Sequence, residues 1–480
     1  MSDRIHLYQY SIPFRNPLRT ATGSIVHRDG LIIGDGNHIW SEIAPLPGFS
    51  TESIDDVLCF LRHYQNKIQY YFQKQNLYQF MAEPAISKDL IKIPSLRFGL
   101  SMIAEQQKAL DANLPLYAYW IHTKLSEFKH IRQFSPSTYE QDVRCNALLG
   151  AENFSDTLKG VIKAREAGFN TVKLKLPPSP RKARELVATI CKNFPDMRFR
   201  FDANACYSKA DAVKLFDGLN KPQSTLNTSA FDLTSKTISS SGNREKPDSY
   251  TKPFENLDYI EEPIKAENAA DLLALKKSGV PMALDETART SESVAEFLSN
   301  HTISAVVLKP TLIGSFNEIL SMIEQIIIYN SQNTGSEQQT QSTAETIKPK
   351  HVSMTVSTSL ETSVGRLLLA HLAAFINNIS PNDHGLATGD LLKADILLKS
   401  PNDNAPARRF RYSLDNLPLT CKTVSQPVIT LPASPGAGRK PDTSNSREHT
   451  ADKPKEHETR NQSYGHTNTA YCKAISWDKP

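Results

Sequence analysis

Charged residues that could move protons or hold a metal ion recur at the ends of five short apolar runs. Each run is rich in β-branched or aromatic residues and stops at Pro, Asn or Thr, which is typical of a buried parallel strand. The charged residues at these strand ends are Lys173 and Lys175, Asp202, Glu261, Asp285 and Lys309. In a β/α barrel the carboxyl ends of the strands form one face, and that face carries the chemistry. We therefore predict that these side chains converge on one pocket.

The three carboxylates predict a site for a hard divalent cation. Asp202, Glu261 and Asp285 offer the oxygen ligands that suit Mg²⁺, with Mn²⁺ as a substitute. No His or Cys stands at the corresponding positions, which disfavours zinc. A divalent cation beside a substrate carboxylate can stabilise the enediolate that forms when the adjacent carbon loses its proton.

The lysines are suited to that proton transfer. Lys173 and Lys175 leave their strand on the same face, because side chains alternate along a strand with a period of two. One lysine of such a cluster can act as the base, while a cation across the pocket, Lys309, stabilises the anion or takes a proton itself.

Neighbours of the acidic residues are expected to support the site. Glu261 and Glu262 point to opposite faces of their strand, so only one of them can reach the ion. We expect Glu262 and Glu286 to support the ligands rather than bind the metal. Asn204 could support Asp202 or only form the turn that ends the strand.

The elements that would position these residues form two units. Residues 1–130 contain short strands followed by helical pattern from Ser53 through Gln79, which predicts an α+β unit with a rigid loop at 45–50. Residues 131–400 alternate strand and helix, with landmarks about 25 residues apart, which indicates repeated βα units. Polar segments at 224–253 and 331–350 interrupt the repeat and are interpreted as exposed insertions. We predict that 401–433 returns to the first unit and that 434–480 is a disordered tail.

The amino-acid composition indicates which classes of binding partner to expect. The formal net charge is +4 over 480 residues and the basic residues are not pooled, so nothing favours a nucleic-acid surface. The six cysteines form no CxxC pair, which suggests a reducing cytosol, and the longest apolar stretch, at 367–376, is too short to span a bilayer. We expect a cytoplasmic protein that acts on a small carboxylate and binds neither nucleic acid nor membrane. The sequence does not fix its oligomeric state.

The ordered motifs Lys-x-Lys, Asp-Ala-Asn, Ile-Glu-Glu-Pro, Asp-Glu-Thr and Lys-Pro-Thr resemble the enolase superfamily. The stretches at 41–50, 308–315 and 356–365 are similar, more specifically, to the o-succinylbenzoate synthase family of menaquinone biosynthesis. The likeness runs from about Tyr8 to about Leu398 and omits both insertions and the tail, which have no counterpart in the family pattern.

The resemblance implies an α/β fold in which an α+β capping domain covers a modified (β/α)7β, TIM-like barrel. It implies that Asp202, Glu261 and Asp285 bind Mg²⁺. It also implies a syn dehydration of 2-succinyl-6-hydroxy-2,4-cyclohexadiene-1-carboxylate to 2-succinylbenzoate. Lys175 would remove the α-proton and then protonate the departing hydroxide, Lys309 would stabilise the enediolate, and Lys173 would support Lys175.

The resemblance also suggests substrate contacts. Ser357, Thr358 and Ser359 match the loop after the seventh strand, where hydroxyl and backbone N–H groups would hold a carboxylate. The loop after Arg19 and the loop at 45–50 would close over the pocket.

Two other functions stay open. The same metal and lysine pair could racemise an N-succinyl amino acid or epimerise a dipeptide, because both reactions share the enediolate. A catalytically inactive scaffold is the third reading, and the complete set of acidic and lysine residues argues against it.

Overall fold

The computed structural model describes residues 4–20, 23–36, 38–125, 127–128, 142–150, 153–219, 255–333, 351–396, 428–430 and 471–475. No helix in these ranges is both long and apolar enough to cross a membrane. The described residues form a capping domain and a barrel, which confirms the predicted fold class.

The capping domain combines an antiparallel sheet with helices. Its first strands are β1 (His6–Thr20), β2 (Gly23–Gly34) and β3 (Trp40–Ile43). The helices are α1 (Ile54–Gln73), α2 (Leu77–Ala82), α3 (Pro84–Leu90), α4 (Pro94–Asp111) and α5 (Leu116–Lys124). A capping box between Ser53 and Asp56 starts α1. The predicted helical region at 53–79 is therefore two helices rather than one, since α1 ends at Gln73.

The barrel is built from a parallel sheet of seven strands in chain order. A short strand, β4 (Asp142–Arg144), precedes it. The barrel strands are β5 (Ala147–Leu149), β6 (Thr171–Lys175), β7 (Arg198–Asp202), β8 (Leu257–Glu261), β9 (Met282–Leu284), β10 (Ala305–Leu308) and β11 (Ser353–Val356). The first barrel strand has only three residues.

Helices lie between the barrel strands. They are α6 (Phe154–Glu166), α7 (Pro180–Asn193), α8 (Lys209–Leu219), α9 (Leu273–Lys276), α10 (Ser291–Ser299), α11 (Pro310–Ile313), α12 (Phe316–Asn333) and α13 (Ser363–Asn377). The end of α12 includes residues 331–333, so this helix enters the segment interpreted as the second insertion. The remainder of that segment and the whole of 224–253 lie outside the described residues.

His384 and Gly385 join the two edge strands of the parallel sheet. The N–H of Gly385 donates to the carbonyl of Val356 at 2.8 Å, and the N–H of Asn146 donates to the carbonyl of His384 at 2.9 Å. Backbone hydrogen bonds thus connect the end of β11 to the start of β5. A short eighth strand after seven βα units is what the (β/α)7β description requires.

The cap and the barrel share an apolar cluster. Tyr10, Ile32 and Trp40 of the cap sheet pack with Val364 of α13 and Leu392, and all five are buried. Removal of this much apolar surface from water holds the cap against the carboxyl ends of the barrel strands.

Two C-terminal segments differ from the sequence-based expectation. Residues 471–475 form β13, which pairs antiparallel with β1 of the cap, so the predicted tail at 434–480 is wrong for these five residues. Residues 428–430 form β12 and pair with β4 rather than with the cap sheet. Both segments find an unpaired strand edge whose backbone N–H and C=O groups need partners. The rest of 401–480 lies outside the described residues.

Candidate active site

Strand register places the predicted site residues on one face. Lys175 lies opposite Asp202 in the β6–β7 pair, and Asp202 lies opposite Glu261 in the β7–β8 pair. Asp285 and Lys309 follow directly after β9 and β10. Because register partners in parallel strands point the same way, the six strand-end residues line the carboxyl end of the barrel.

The three acidic residues are buried and close together. The Lys173 ammonium lies 2.9 Å from Oδ2 of Asp202 and 2.6 Å from Oε1 of Glu261. Glu261 and Asp285 lie close enough for each carboxyl group to affect the pKa of the other. Asp202, Glu261 and Asp285 are each at most 5% exposed. The structure therefore brings together the residues that the sequence assigns to metal binding.

Burial and mutual repulsion shift the ionisation of this group. Burial, helped by the charges of Asp202 and Asp285, raises the pKa of Glu261 well above its usual range, while Lys173 opposes the shift. Burial alone would lower the pKa of Lys173, but the surrounding carboxylates raise it well above its ordinary value. Three carboxylates in so small a volume need more positive charge than one lysine supplies.

Lys309 pairs with the other side of the cluster. Its ammonium contacts the carboxylate of Asp285 and lies 3.5 Å from Oε1 of Glu286. The attraction of these carboxylates overcomes burial and raises the pKa of Lys309, and Lys309 in turn lowers the pKa of Asp285. Its ammonium is also 6.0 Å from the ring centre of Phe49 in the cap loop.

The chemistry of these donors fits a hard divalent cation. The Oδ1 atom of Asp285 is buried and has no hydrogen-bond partner, an arrangement that costs free energy without a cation or donor nearby. In the described part of the chain no three His, Cys, Asp or Glu side chains already have the geometry of a metal site. The ammonium of Lys173 lies 2.9 Å from Asp202 and 2.6 Å from Glu261. Oxygen donors alone, without His or Cys, match Mg²⁺ rather than zinc.

Glu262 supports the neighbouring strand end instead of facing the cluster. Its Oε2 accepts the N–H of Asp285 at 2.7 Å, and its Oε1 accepts the hydroxyl of Thr287. Burial raises the pKa of Glu262 to about 7. Its backbone φ of +42° belongs to the left-handed region, which turns the chain sharply after β8.

Asn204 and Glu286 also lie beside the candidate ligands. The N–H of Asn204 donates to Oδ1 of Asp202 at 2.9 Å, and φ values of +45° and +54° at Asn204 and Ala205 form the turn after β7. Asn204 therefore both donates a hydrogen bond to Asp202 and forms the turn that ends the strand. The Oε2 atom of Glu286 is buried without a partner.

The residues of the hydroxyl loop at 357–359 make hydrogen bonds within the protein. The hydroxyls of Thr358 and Thr388 are 3.0 Å apart, and the hydroxyl of Ser359 accepts that of Thr311 at 2.9 Å. The backbone N–H groups of Ser357, Thr358 and Ser359 also donate to protein atoms. Thr358 and Ser359 are buried, and only Ser357 is partly exposed. These bonds favour Ser357 as the residue of the three that could reach a substrate.

Sequence reasoning missed two arginines beside the site. Nε of Arg289 donates to the carbonyl of Glu286 at 2.9 Å, and its NH2 group donates to the carbonyl of Phe49 at 3.4 Å. Arg28 of β2 contacts the loop after β11. Neither arginine stands at a barrel strand end, so the pattern that revealed the other residues could not reveal them. Residues 21–22 of the loop after Arg19 lie outside the described residues.

The fold resembles that of enolase superfamily structures, and family models match two parts of the chain. The family model described as the N-terminal domain of MenC matches residues 2–107, and the model described as enolase C-terminal domain-like matches residues 250–444. The first match covers the cap as far as α4, and the second covers the barrel from β8 onward.

The chain is similar to curated proteins named o-succinylbenzoate synthase. The one from Yersinia pseudotuberculosis serotype O:1b (strain IP 31758) is 25% identical over 410 residues, which cover 83% of this chain and 94% of the relative. A relative from Yersinia pestis (strain Pestoides F) matches at the same identity and coverage.

Similar folds occur among solved structures. A dipeptide epimerase from Enterococcus faecalis V583, complexed with Mg and a dipeptide, superposes with a TM-score of 0.60 at 17% identity over 91% of this chain and 98% of that chain. An N-succinyl Arg/Lys racemase from Bacillus cereus ATCC 14579 gives 0.61 at 15% identity over 90% and 94% of the two chains. At these identities the likeness shows the fold alone.

Proposed function

We propose that this chain is a Mg²⁺-dependent o-succinylbenzoate synthase. The proposed reaction is the syn dehydration of 2-succinyl-6-hydroxy-2,4-cyclohexadiene-1-carboxylate to 2-succinylbenzoate through an enediolate. The observation that carries it is a cluster of three buried carboxylates in which Lys309 contacts Asp285 and Lys175 lies in register with Asp202, in a chain similar to proteins named for this activity.

Asp202, Glu261 and Asp285 would hold the Mg²⁺ ion. When bound, the ion would supply positive charge beside the substrate carboxylate, which makes the adjacent C–H bond more acidic. Glu262 would keep the N–H of Asp285 in place, and Asn204 would do the same for the carboxylate of Asp202.

Lys175 would perform both proton transfers. As a free amine it would take the α-proton of the substrate, leaving the electron pair on the carboxylate-bearing carbon. The same ammonium would then give that proton to the departing hydroxide, so that the products are one water molecule and the aromatic ring. Use of one group for both steps accounts for a syn elimination.

Lys309 and Lys173 would act through charge. Lys309 lies beside Asp285 on the far side of the cluster from β6, where its ammonium would stabilise the enediolate. Lys173 shares a strand face with Lys175 and contacts Asp202 and Glu261. It would keep these two carboxylates from pairing with Lys175, the proposed base.

A racemase or epimerase is the second candidate. The observation that favours it is the fold shared with a dipeptide epimerase and an N-succinyl Arg/Lys racemase. Such a reaction needs two lysines on opposite faces of the substrate, and Lys175 and Lys309 supply them.

A turnover assay tests the proposal. Purified protein with Mg²⁺ should dehydrate the cyclohexadiene substrate, and excess EDTA should abolish turnover until Mg²⁺ is restored. Incubation with N-succinyl amino acids or dipeptides in D₂O tests the second candidate. Faster α-deuterium incorporation there than dehydration would replace the synthase with an isomerase, and no turnover in either assay would remove both.

A further inference from the structure

Arg28 of β2 lies buried between the cap and the barrel, and it is 1% exposed. Its guanidinium makes five hydrogen bonds to backbone carbonyl oxygens. The acceptors are Asp29, Ala44, Pro45, Ser359 and Leu360. Five acceptors use all five N–H groups of an arginine, and two of them are more than 330 residues away in the sequence.

On the cap side, Arg28 fixes the start of the loop at 45–50. Its NH1 group donates to the carbonyl of Pro45 at 2.8 Å. Beyond that point the loop is held by its own bonds, because the N–H groups of Phe49 and Ser50 both donate to the carbonyl of Leu46. A loop rigid in itself and fixed at its start places the Phe49 ring next to the Lys309 ammonium.

On the barrel side, Arg28 fixes the loop after β11. Its Nε donates to the carbonyl of Leu360 at 3.0 Å, and its NH2 group donates to that of Ser359 at 3.1 Å. Leu360 has a φ of +65°, a conformation that a leucine keeps only when its surroundings enforce it. The hydroxyl of Ser359 accepts a bond from Thr311, two residues after Lys309.

The role of Arg28 depends on shape as well as charge. In the described part of the chain the five acceptors of the Arg28 guanidinium are all backbone carbonyls. A lysine has one nitrogen and could not reach two loops and its own strand at once. The planar guanidinium therefore links the two loops as one unit.

We propose that Arg28 is a positioning residue for the proposed reaction. It holds the cap loop at 45–50 and the loop at 357–360 in register on either side of Lys309 without touching the substrate. The catalytic part of this inference rests on the proposed function, whereas the structural part, control of both loops by one side chain, does not.

The experiment compares Arg28→Met and Arg28→Lys with Gln107→Leu in the full-length protein. Gln107 is also buried in the cap, where its side-chain amide donates to the carbonyl of Phe72, but it contacts neither loop. Its replacement therefore matches the loss of a buried hydrogen bond. Hydrogen–deuterium exchange of peptides that cover 44–50 and 357–362 is measured for each variant, together with Tm, Mn²⁺ affinity, kcat and KM.

Both Arg28 variants should exchange faster in both loops, and Gln107→Leu should not. In the turnover assay kcat/KM should fall on the order of 10²-fold for the Arg28 variants, mainly through KM, with Mn²⁺ affinity unchanged. Wild-type exchange in either loop of Arg28→Met overturns the inference. So does a loss of kcat/KM that Gln107→Leu reproduces at an equal fall in Tm.

Failure of the proposed function would give a different result. If the wild-type protein neither dehydrates the substrate nor exchanges the α-proton of an N-succinyl amino acid, the proposed function fails, yet the exchange data still decide whether Arg28 controls both loops.

Discussion

Lys173 and Glu261 form an ion pair of 2.6 Å across β7, although 88 residues separate them in the sequence. The same ammonium lies 2.9 Å from Asp202. Lys173 thus supplies positive charge to two of the three carboxylates that would bind the metal. A divalent cation bound there must share these carboxylates with Lys173.

Replacement of Lys173 by Met should therefore tighten metal binding. Without this ammonium Asp202 and Glu261 lose their counter-charge, so a bound cation gains more free energy, and Mn²⁺ affinity should rise on the order of tenfold. Asp285→Asn should weaken Mn²⁺ binding, because a neutral amide replaces a charged ligand. Titration of both variants with Mn²⁺ by electron paramagnetic resonance, at fixed ionic strength, measures the change. Equal or weaker binding by Lys173→Met would contradict a shared site.

Lys175→Ala should lower kcat by roughly 10²–10⁴-fold, the usual contribution of a general base. Lys309→Ala should lower it as well, because the enediolate loses its ammonium partner. Lys182→Ala on the exposed side of α7 is the control and should keep wild-type turnover. Steady-state rates are measured alongside Mn²⁺ affinity, so that loss of the metal is not mistaken for loss of the base. Full turnover by Lys175→Ala would remove it from the mechanism.

The free energy of unfolding should fall in acid because two histidines are buried. Burial lowers the pKa of His371 to about 3, and burial together with the charges of Arg200 and Arg144 lowers that of His384 to about 3. Nδ1 of His384 accepts the N–H of Val356, so protonation would break that bond. The unfolded chain takes up these protons near pH 6.5 and the folded chain does not. The stability is therefore complete above pH 6.5 and is lost as the pH falls toward 3.

The expected slope is about 1.4 kcal/mol per pH unit for each histidine that titrates only in the unfolded chain. Urea unfolding at several pH values between 7 and 4 measures it. His371→Phe keeps an aromatic ring stacked on Tyr117 and should remove the contribution of His371 to the pH dependence of the unfolding free energy. His63→Phe, at an exposed position of α1, should leave the slope unchanged. An identical slope in His371→Phe would show that His371 is not responsible.

The barrel and the acidic cluster could be predicted from the sequence, because both follow from local patterns of apolar and charged residues. A short apolar run that ends in a charged residue is a buried strand whose end meets the others at one face. Asp202, Glu261 and Asp285 could therefore be brought together without coordinates. Glu262 is different, because it follows the strand in a left-handed conformation to which the alternation of strand side chains does not apply.

Contacts between distant segments could not be predicted in this manner. No local pattern in the sequence predicts that the hydroxyl of Thr358 contacts that of Thr388, or that Arg28 reaches the carbonyls of Ser359 and Leu360. Such bonds depend on where the cap lies against the barrel. The polar composition of 434–480 likewise hid five residues that pair with β1, since composition averages over a long window and a strand needs only a free edge.

The pairing of β13 with β1 leads to a last prediction. Residues 471–475 pair with Leu7–Ser11 on the side of β1 that does not face β2. A chain truncated after residue 470 would leave this edge unpaired. Its outward amide groups should exchange with deuterium at least on the order of tenfold faster, because their hydrogen bonds to β13 are gone.

A chain truncated after residue 475 is the matched control, since it loses only residues 476–480 and keeps β13. Exchange in the barrel strands should be the same in both truncations, because β13 pairs with the cap sheet alone among the described strands. Equal protection of Leu7–Ser11 in the two chains would mean that β13 does not cover the edge in solution. Faster exchange confined to the shorter chain would establish the C-terminal segment as part of the capping domain.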